Sequence, residues 1–395
     1  MTQGILRISH ATAIMRFVHK HNMEKMNPSV VPCTVDLQKQ IKNFKYANTP
    51  GETEETEAII TPYRMYLGAM GHWAQTTMPQ MKSTVRMASK YMSRPTKMHM
   101  KLIIMMIRYC IYTVCEGIHL TITAKDGFDG VLDLMFFTDS DHGGNADGSS
   151  TSGMMAFMNG NYFHGYSSGQ KCLTLNTAES EYIAMVKCLQ FAIWTMLLLR
   201  EMNFKVRFPI PILADNVAAI LIAKSPTHTK YARHISLRTH YIRSILPFRD
   251  FILAFVGTKW NFSDLNTKAA APQIFQRLVT YVLSGLHQFN WKEEMVSTMK
   301  DIWQQTEARD DAKELQTHIE EFDGVRRKQR ATQVAKEQLA QQQEQPTHSG
   351  GVKSVAVNGQ DNERVGQKKV TWEFTVTMPK RKRYEQWKKD SRSKK

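Results

Sequence analysis

The chain has 395 residues, 42% of them hydrophobic, and a formal net charge of +16, which gives room for two or three domains and points to an anionic partner. The longest apolar run, "FAIWTMLLL", is too short to span a bilayer and is interrupted by Thr195, and "MTQGILRISH" lacks the apolar segment of a signal peptide. Five cysteines without a C-x-x-C pair argue against a disulfide framework and against a zinc site, and fit a reducing compartment.

Residues 1 to about 125 mix polar turns such as "ANTPGETEETE" with two helical patterns. The first runs from about Tyr63 to Met92 with an interruption near Pro79; the second runs from about Thr96 to Cys115, after Pro95 breaks the chain direction. Their many methionines read as core filler. Residues 131 to 275 alternate strands and helices. "VLDLMFFT" has the continuous apolar character of a strand buried on both faces. "STSGMMAFM" and "NYFHGYSS" form a hairpin turned at Asn159-Gly160. From about Thr177 to Met202 the residues Ala178, Tyr182, Met185, Leu189, Ala192, Met196 and Leu199 make one apolar helix face. "IPILAD" is a strand, "NVAAILIAK" and "HISLRTHYIRSIL" are helices, and "DFILAFVG" is a last strand. This order predicts an α/β fold with a mixed sheet and helices on its faces. Residues 276 to 345 read as a helical extension and 346 to 395 as a disordered basic tail.

Charge is concentrated in three places. Between Glu57 and Glu116 there are eight Lys/Arg and no acid, with Lys82, Arg86 and Lys90 at i, i+4, i+8 on one helix face. Between Lys224 and Arg249 the basic residues Lys224, Lys230, Arg233, Arg238, Arg243 and Arg249 again meet no acid. One-signed stripes of this kind suit a phosphate backbone, the alternative being a plain solvated face. The "PKRKR" tail fits either a nuclear-import patch or a solvated end, so the compartment stays open between nucleus and cytoplasm.

Acids recur at the ends of the elements. Asp139 closes the first strand in "FFTDSDHGG", Glu181 lies in the first turn of the long helix, Asp215 follows "PILA", and Asp264 stands where the final helix begins. Taken singly, each has an ordinary structural role: a turn for Asp139, a helix cap for Asp215 or Asp264, a dipole-favoured acid for Glu181. Taken together, four carboxylates at one sheet edge call for cations. Two Mg²⁺, with Mn²⁺ as the other hard ion that oxygen ligands accept, about 4 Å apart would neutralise them and activate water toward a phosphodiester.

"FFTDSD", "SSTSG", "YSSGQKCLTLNTAESEYIAM", "ILADNVAAI", "ARHISLRTHYIR" and "VGTKWNFSDLNTK" occur in the order found in the ribonuclease H domain of copia-type retrotransposon polyproteins, which the chain resembles over about 145 residues. The upstream segments "GILRIS", "FVHKHNM", "YRMYLGAMGHWAQTTMP" and "ASKYMSRPTKMHMK" resemble the thumb and connection of the preceding reverse transcriptase. The resemblance implies a ribonuclease H-like five-stranded mixed sheet at 131–275, preceded by a partial thumb/connection at 1–125. It implies Asp139, Glu181, Asp215 and Asp264 as metal ligands, a solvated Glu179, a secondary Asp141, and His234 as a loop histidine that assists proton transfer or product release, with His240 packing or capping. It implies an RNA–DNA hybrid as partner, contacted by Lys82, Arg86, Lys90, Lys224, Lys230, Arg233, Arg238 and Arg243. The absent polymerase part or a second polyprotein chain is a further partner, and no membrane is. The Tyr-x-Asp-Asp polymerase segment occurs nowhere, so DNA synthesis is not expected, and milder departures such as Tyr166 and Ala269-Ala270 leave a competing reading as an inert nucleic-acid-binding remnant.

Overall fold

The computed structural model describes residues 4–46, 50–124, 128–224, 236–246 and 250–286, with side chains at 50–56 and 236–240 excepted. The upstream region pairs β1 (Ile5–Ile8) antiparallel to β2 (Leu120–Thr123) and surrounds them with five helices. These are α1 (Ala11–Lys20), α2 (Val35–Lys42), α3 (Pro50–Thr76), α4 (Lys82–Ser89) and α5 (Lys97–Glu116). The interruption expected near Pro79 is a 3-10 turn at Pro79–Met81, and α3 starts earlier than the sequence pattern indicates. Helix α5 is bounded by local chemistry. Thr96 and His99 form a reciprocal cap at its start, and Gly117 takes the left-handed φ of 65° that ends it. Met70, Met81 and Met106 are fully buried and fill the core as expected, whereas Met65 and Met92 are exposed.

The downstream region begins with β3 (Val131–Leu132), which pairs parallel to β7 (Lys205–Val206). Its main sheet contains β4 (Leu134–Asp141), β5 (Thr151–Met158), β6 (Asn161–Gly169), β8 (Ile210–Ala214) and β9 (Phe251–Phe255) in the order β6-β5-β4-β8-β9. Strands β4, β5 and β6 are antiparallel; β4, β8 and β9 are parallel. This is the ribonuclease H-like mixed sheet that the motifs imply. Asn159 (φ 48°) and Gly160 (φ 77°) close the β5–β6 hairpin, as two successive positive angles require.

Helix α6 (Thr177–Glu201) covers one face, with Tyr182, Met185, Leu189 and Ala192 packed on Phe136, Met154 and Ile212. Fully burying each such side chain stabilises the fold by about 2 kcal/mol. Helices α7 (Val217–Lys224) and α8 (Ser236–Ile245) extend that layer. On the other face Phe137 meets Phe262 and Phe157 edge-on, at ring-centroid distances of 4.9 and 5.6 Å. Helix α9 (Pro272–Ser284) follows; the expected extension beyond residue 286 and the basic tail lie outside the described residues. Helices α5 and α6 have the length and composition of membrane spans, yet each buries about half of that stretch inside the protein. All five cysteines are free thiols.

Candidate functional site

Three of the four predicted acids converge. Ligand oxygens of Asp139, Glu181 and Asp215 lie within 4.8 Å of one another, at the carboxyl ends of the adjacent strands β4 and β8 and the second turn of α6, one turn later than the sequence reading put Glu181. Asp139 is 2% exposed and Glu181 4%. The helix-cap roles open to these acids are filled by their neighbours. Asn216 Oδ1 accepts from the Ala219 amide (3.0 Å) to start α7, and Asn176 Oδ1 accepts from the Glu179 amide (2.8 Å) to start α6. Asp215 and Glu181 are thereby left to face the site. Glu179 departs from expectation: it is buried rather than solvated, its Oε2 accepting from the Leu175 amide at 2.8 Å.

Asp264 is delivered by a 3-10 segment, Phe262–Asn266, laid across the sheet. Asn261 Nδ2 donates to the Thr138 carbonyl of β4 (3.0 Å) and Asn266 Nδ2 to the Met154 carbonyl of β5 (2.7 Å), pinning the segment at both ends. Asn261 also caps it by accepting from the Ser263 amide, so Asp264 is not its cap. Gly153 lies opposite Asp139 in the β4–β5 register, and an added Cβ there would stand 2.6 Å from Thr267 Cγ2 and 3.0 Å from the Ser263 carbonyl. The segment can approach β4 only because position 153 has no side chain. Lys268 Nζ lies 3.1 Å from Asp264 Oδ1 and 3.8 Å from Asp139 Oδ2, and the Thr267 hydroxyl donates to Asp139 Oδ2.

Burial of like charges shows in the proton affinities. Desolvation first, then the Asp139 and Asp215 charges, push the Glu181 carboxyl up to about 10. Desolvation and Asp139 likewise raise Asp215 and, well above the usual carboxylate range, Asp264, although Lys268 opposes the rise in both. Against desolvation, Asp139 and Asp264 hold the Lys268 ammonium charged more firmly than a free lysine. Glu181 Oε1 accepts from the Ser140 amide (3.2 Å), while its Oε2 is buried without a hydrogen-bond partner. An orphaned buried carboxylate oxygen among carboxylates, with oxygen as the sole donor type, fits a hard divalent cation.

The basic residues divide differently from the sequence reading. Lys82 is 5% exposed; its Nζ donates to the Gly165 carbonyl of β6 at 2.6 Å, and burial lowers its proton affinity to about 8. It joins α4 to the sheet and is withdrawn from the set of phosphate contacts. Arg86 donates to Thr151 Oγ1 (3.3 Å), and Lys90 is exposed. Both line a cleft shared with Lys42, Asp141, Asn145 and Lys268. Lys224 is half-buried at the end of α7, and Arg243 donates to the Ile222 carbonyl (2.9 Å), an anchor for α8 rather than a free cation. His234, Lys230 and Arg233 lie outside the described residues, as does the side chain of Arg238. Lys268 and Gly153 were available as signals: one stands four residues after Asp264 in "DLNTK", the other inside the "STSG" motif.

No family model matches the chain. It is 25% identical over 291 residues to the retrovirus-related Pol polyprotein from transposon TNT 1-94 of Nicotiana tabacum, a match covering 72% of this chain and 21% of that protein. It is 26% identical over 278 residues to the retrovirus-related Pol polyprotein from transposon RE1 of Arabidopsis thaliana, covering 70% of this chain and 18% of that protein. These relatives are the retrotransposon polyproteins that the motifs point to, and the chain spans about a fifth of their length. Among solved structures it is similar to the N-terminal RNase H domain of Rv2228c from Mycobacterium tuberculosis, fused to maltose-binding protein. That likeness has 10% identity and a TM-score of 0.28, and covers 38% of this chain and 97% of that one.

Proposed function

We propose that the chain is a metal-dependent endonuclease that cuts the RNA strand of RNA–DNA hybrids, carried on a piece of a retrotransposon polyprotein that lacks the polymerase active site. The observation that carries this reading is the convergence of Asp139, Glu181 and Asp215 at the carboxyl edge of the sheet, with Asp264 held beside them. Asp139, Glu181 and Asp215 would hold one ion, and Asp139 with Asp264 would hold a second. Mg²⁺ bound there supplies acidified water and neutralises charge on the phosphodiester. The protein's own part is positional: the Ser140 amide fixes Glu181, the Thr267 hydroxyl fixes Asp139, and the asparagine-pinned 3-10 segment fixes Asp264.

Substrate selection rests on the cleft beside the acids. Arg86 and Lys90 from α4 and Lys42 from α2 place cations along it, suited to backbone phosphates rather than base edges. The upstream region and the sheet therefore build the substrate surface jointly, and the domain boundary near residue 125 divides the ancestry of the chain rather than the site. The test is cleavage of an end-labelled hybrid with and without Mg²⁺. Cleavage that requires Mg²⁺ and vanishes in Asp139→Asn, with the thermal transition retained, is the expected result; equal cleavage by both proteins refutes the assignment. Salt-sensitive hybrid binding without cleavage by the parent would select the inert-remnant reading.

A further inference from the structure

Lys268 occupies a position that no assigned role explains. The backbone N–H groups of Thr267 and Lys268 both donate to the Asp264 carbonyl, at 3.1 and 3.2 Å, so Lys268 lies one helical turn beyond Asp264. That turn delivers its Nζ between two carboxylates, 3.1 Å from Asp264 and 3.8 Å from Asp139. Asp139 also belongs to the group it forms with Glu181 and Asp215, from whose cluster of mutually close oxygens Asp264 is absent. A divalent ion shared by Asp139 and Asp264 would need the space and the oxygen lone pairs that the ammonium already holds. The lysine side chain is 38% exposed, so it has a path to solvent that does not cross the core.

We propose that Lys268 is a built-in monovalent cation guarding the Asp139–Asp264 side of the site. The chain free of nucleic acid takes one divalent ion, at Asp139, Glu181 and Asp215, and admits a second only when Lys268 swings outward. An ammonium facing an incoming dication a few ångströms away in a partly buried site opposes its entry directly. A phosphodiester arriving in the cleft brings the anion that receives the displaced ammonium. Entry of the second ion is in this way tied to arrival of substrate, and the chain avoids holding two tightly spaced dications while idle. The inference rests on the metal-binding reading of the four acids and adds to it an order of events.

The experiment is a calorimetric titration of the full chain with Mn²⁺ in the absence of nucleic acid, with Asp139→Asn as the blank for ions bound elsewhere. The parent should bind one ion that the blank lacks. Lys268→Met should bind two, the second at least about tenfold tighter than any second event in the parent. Lys268→Arg, which keeps the charge, should behave as the parent does. Two equivalent ions in the parent, or identical stoichiometry and affinity in parent and Lys268→Met, overturn the proposal while leaving the metal site standing. Absence of any ion that Asp139→Asn removes overturns both. If Lys268→Met gives no cooperative thermal transition, the parent titration decides alone: one ion supports the guard, two of equal affinity exclude it.

Discussion

Strand β4 gathers charge at both ends and does so in opposite ways. At its start, Arg207 from beyond β7 donates to Asp133 through Nε at 2.6 Å and to Asp129 through Nη2, so two acids share one cation. Desolvation works against Asp129, yet the Arg207 hydrogen bond and charge hold its carboxyl below the usual value. At the other end four acids face a single lysine, and three of the carboxyls rise instead. The first cluster is complete within the protein and ties β3, β4 and β7 together. The second is short of positive charge, which is costly for a fold and informative about function.

This contrast makes removal of an acid at one end a functional event, and removal of a cation at the other a structural one. The largest effect belongs to Asp139→Asn: hybrid cleavage falls about a thousandfold or more, while the urea midpoint is unchanged or higher because a buried repulsion is relieved. Gly153→Ala comes next. Its Cβ displaces Thr267 and Ser263, moves Asp264 off its post and lowers cleavage by about ten- to a hundredfold in a hybrid-cleavage assay. Arg207→Ala should cost about 2 kcal/mol in urea unfolding, moderated because Asp129 and Asp133 keep access to water, with cleavage intact below the transition. A large loss of cleavage in Arg207→Ala, without unfolding, would erase the distinction between the two ends.

The remaining prediction concerns pH dependence. In the metal-free chain Glu181 holds a proton up to about 10, whereas in the unfolded chain it releases it near 4.5. The native state therefore binds the extra proton across that window, and the stability this gives is full below 4.5 and lost as pH rises toward 10. Differential scanning calorimetry in chelator should show the melting temperature falling between pH 5 and 9, and Asp139→Asn should flatten that slope by removing one cause of the rise. A melting temperature that climbs over this range would contradict the assigned crowding of carboxylates.

Much of this architecture is legible in the sequence because the signals are local. Asn159-Gly160 dictates its hairpin, and the fours-and-threes spacing from Ala178 to Leu199 dictates the α6 face. Asp139 and Asp215 can be placed because each stands at the carboxyl end of a strand whose apolar pattern is visible, whereas Glu181 lies inside α6 and Asp264 in a 3-10 segment. What escapes is set by long-range geometry. The same i, i+4, i+8 spacing that puts Lys82, Arg86 and Lys90 on one face does not say whether that face meets water or the sheet. In the fold Lys82 meets β6 and Lys90 meets solvent. Glu179 looks solvated as the neighbour of Glu181, yet the bend at Leu175 folds an amide back onto it. Lys268 becomes interpretable only after the 3-10 segment crosses β4, a crossing made by Asn261 and Asn266 on carbonyls more than a hundred residues earlier in the chain.

The sharpest test is an anomalous difference map from crystals of the chain grown with Mn²⁺. A peak bounded by Asp139, Glu181 and Asp215 is the expected result. Ordered side chains at those three positions with no peak between them, in crystals that hold Mn²⁺ at other carboxylates, would contradict the metal site and the nuclease reading that depends on it.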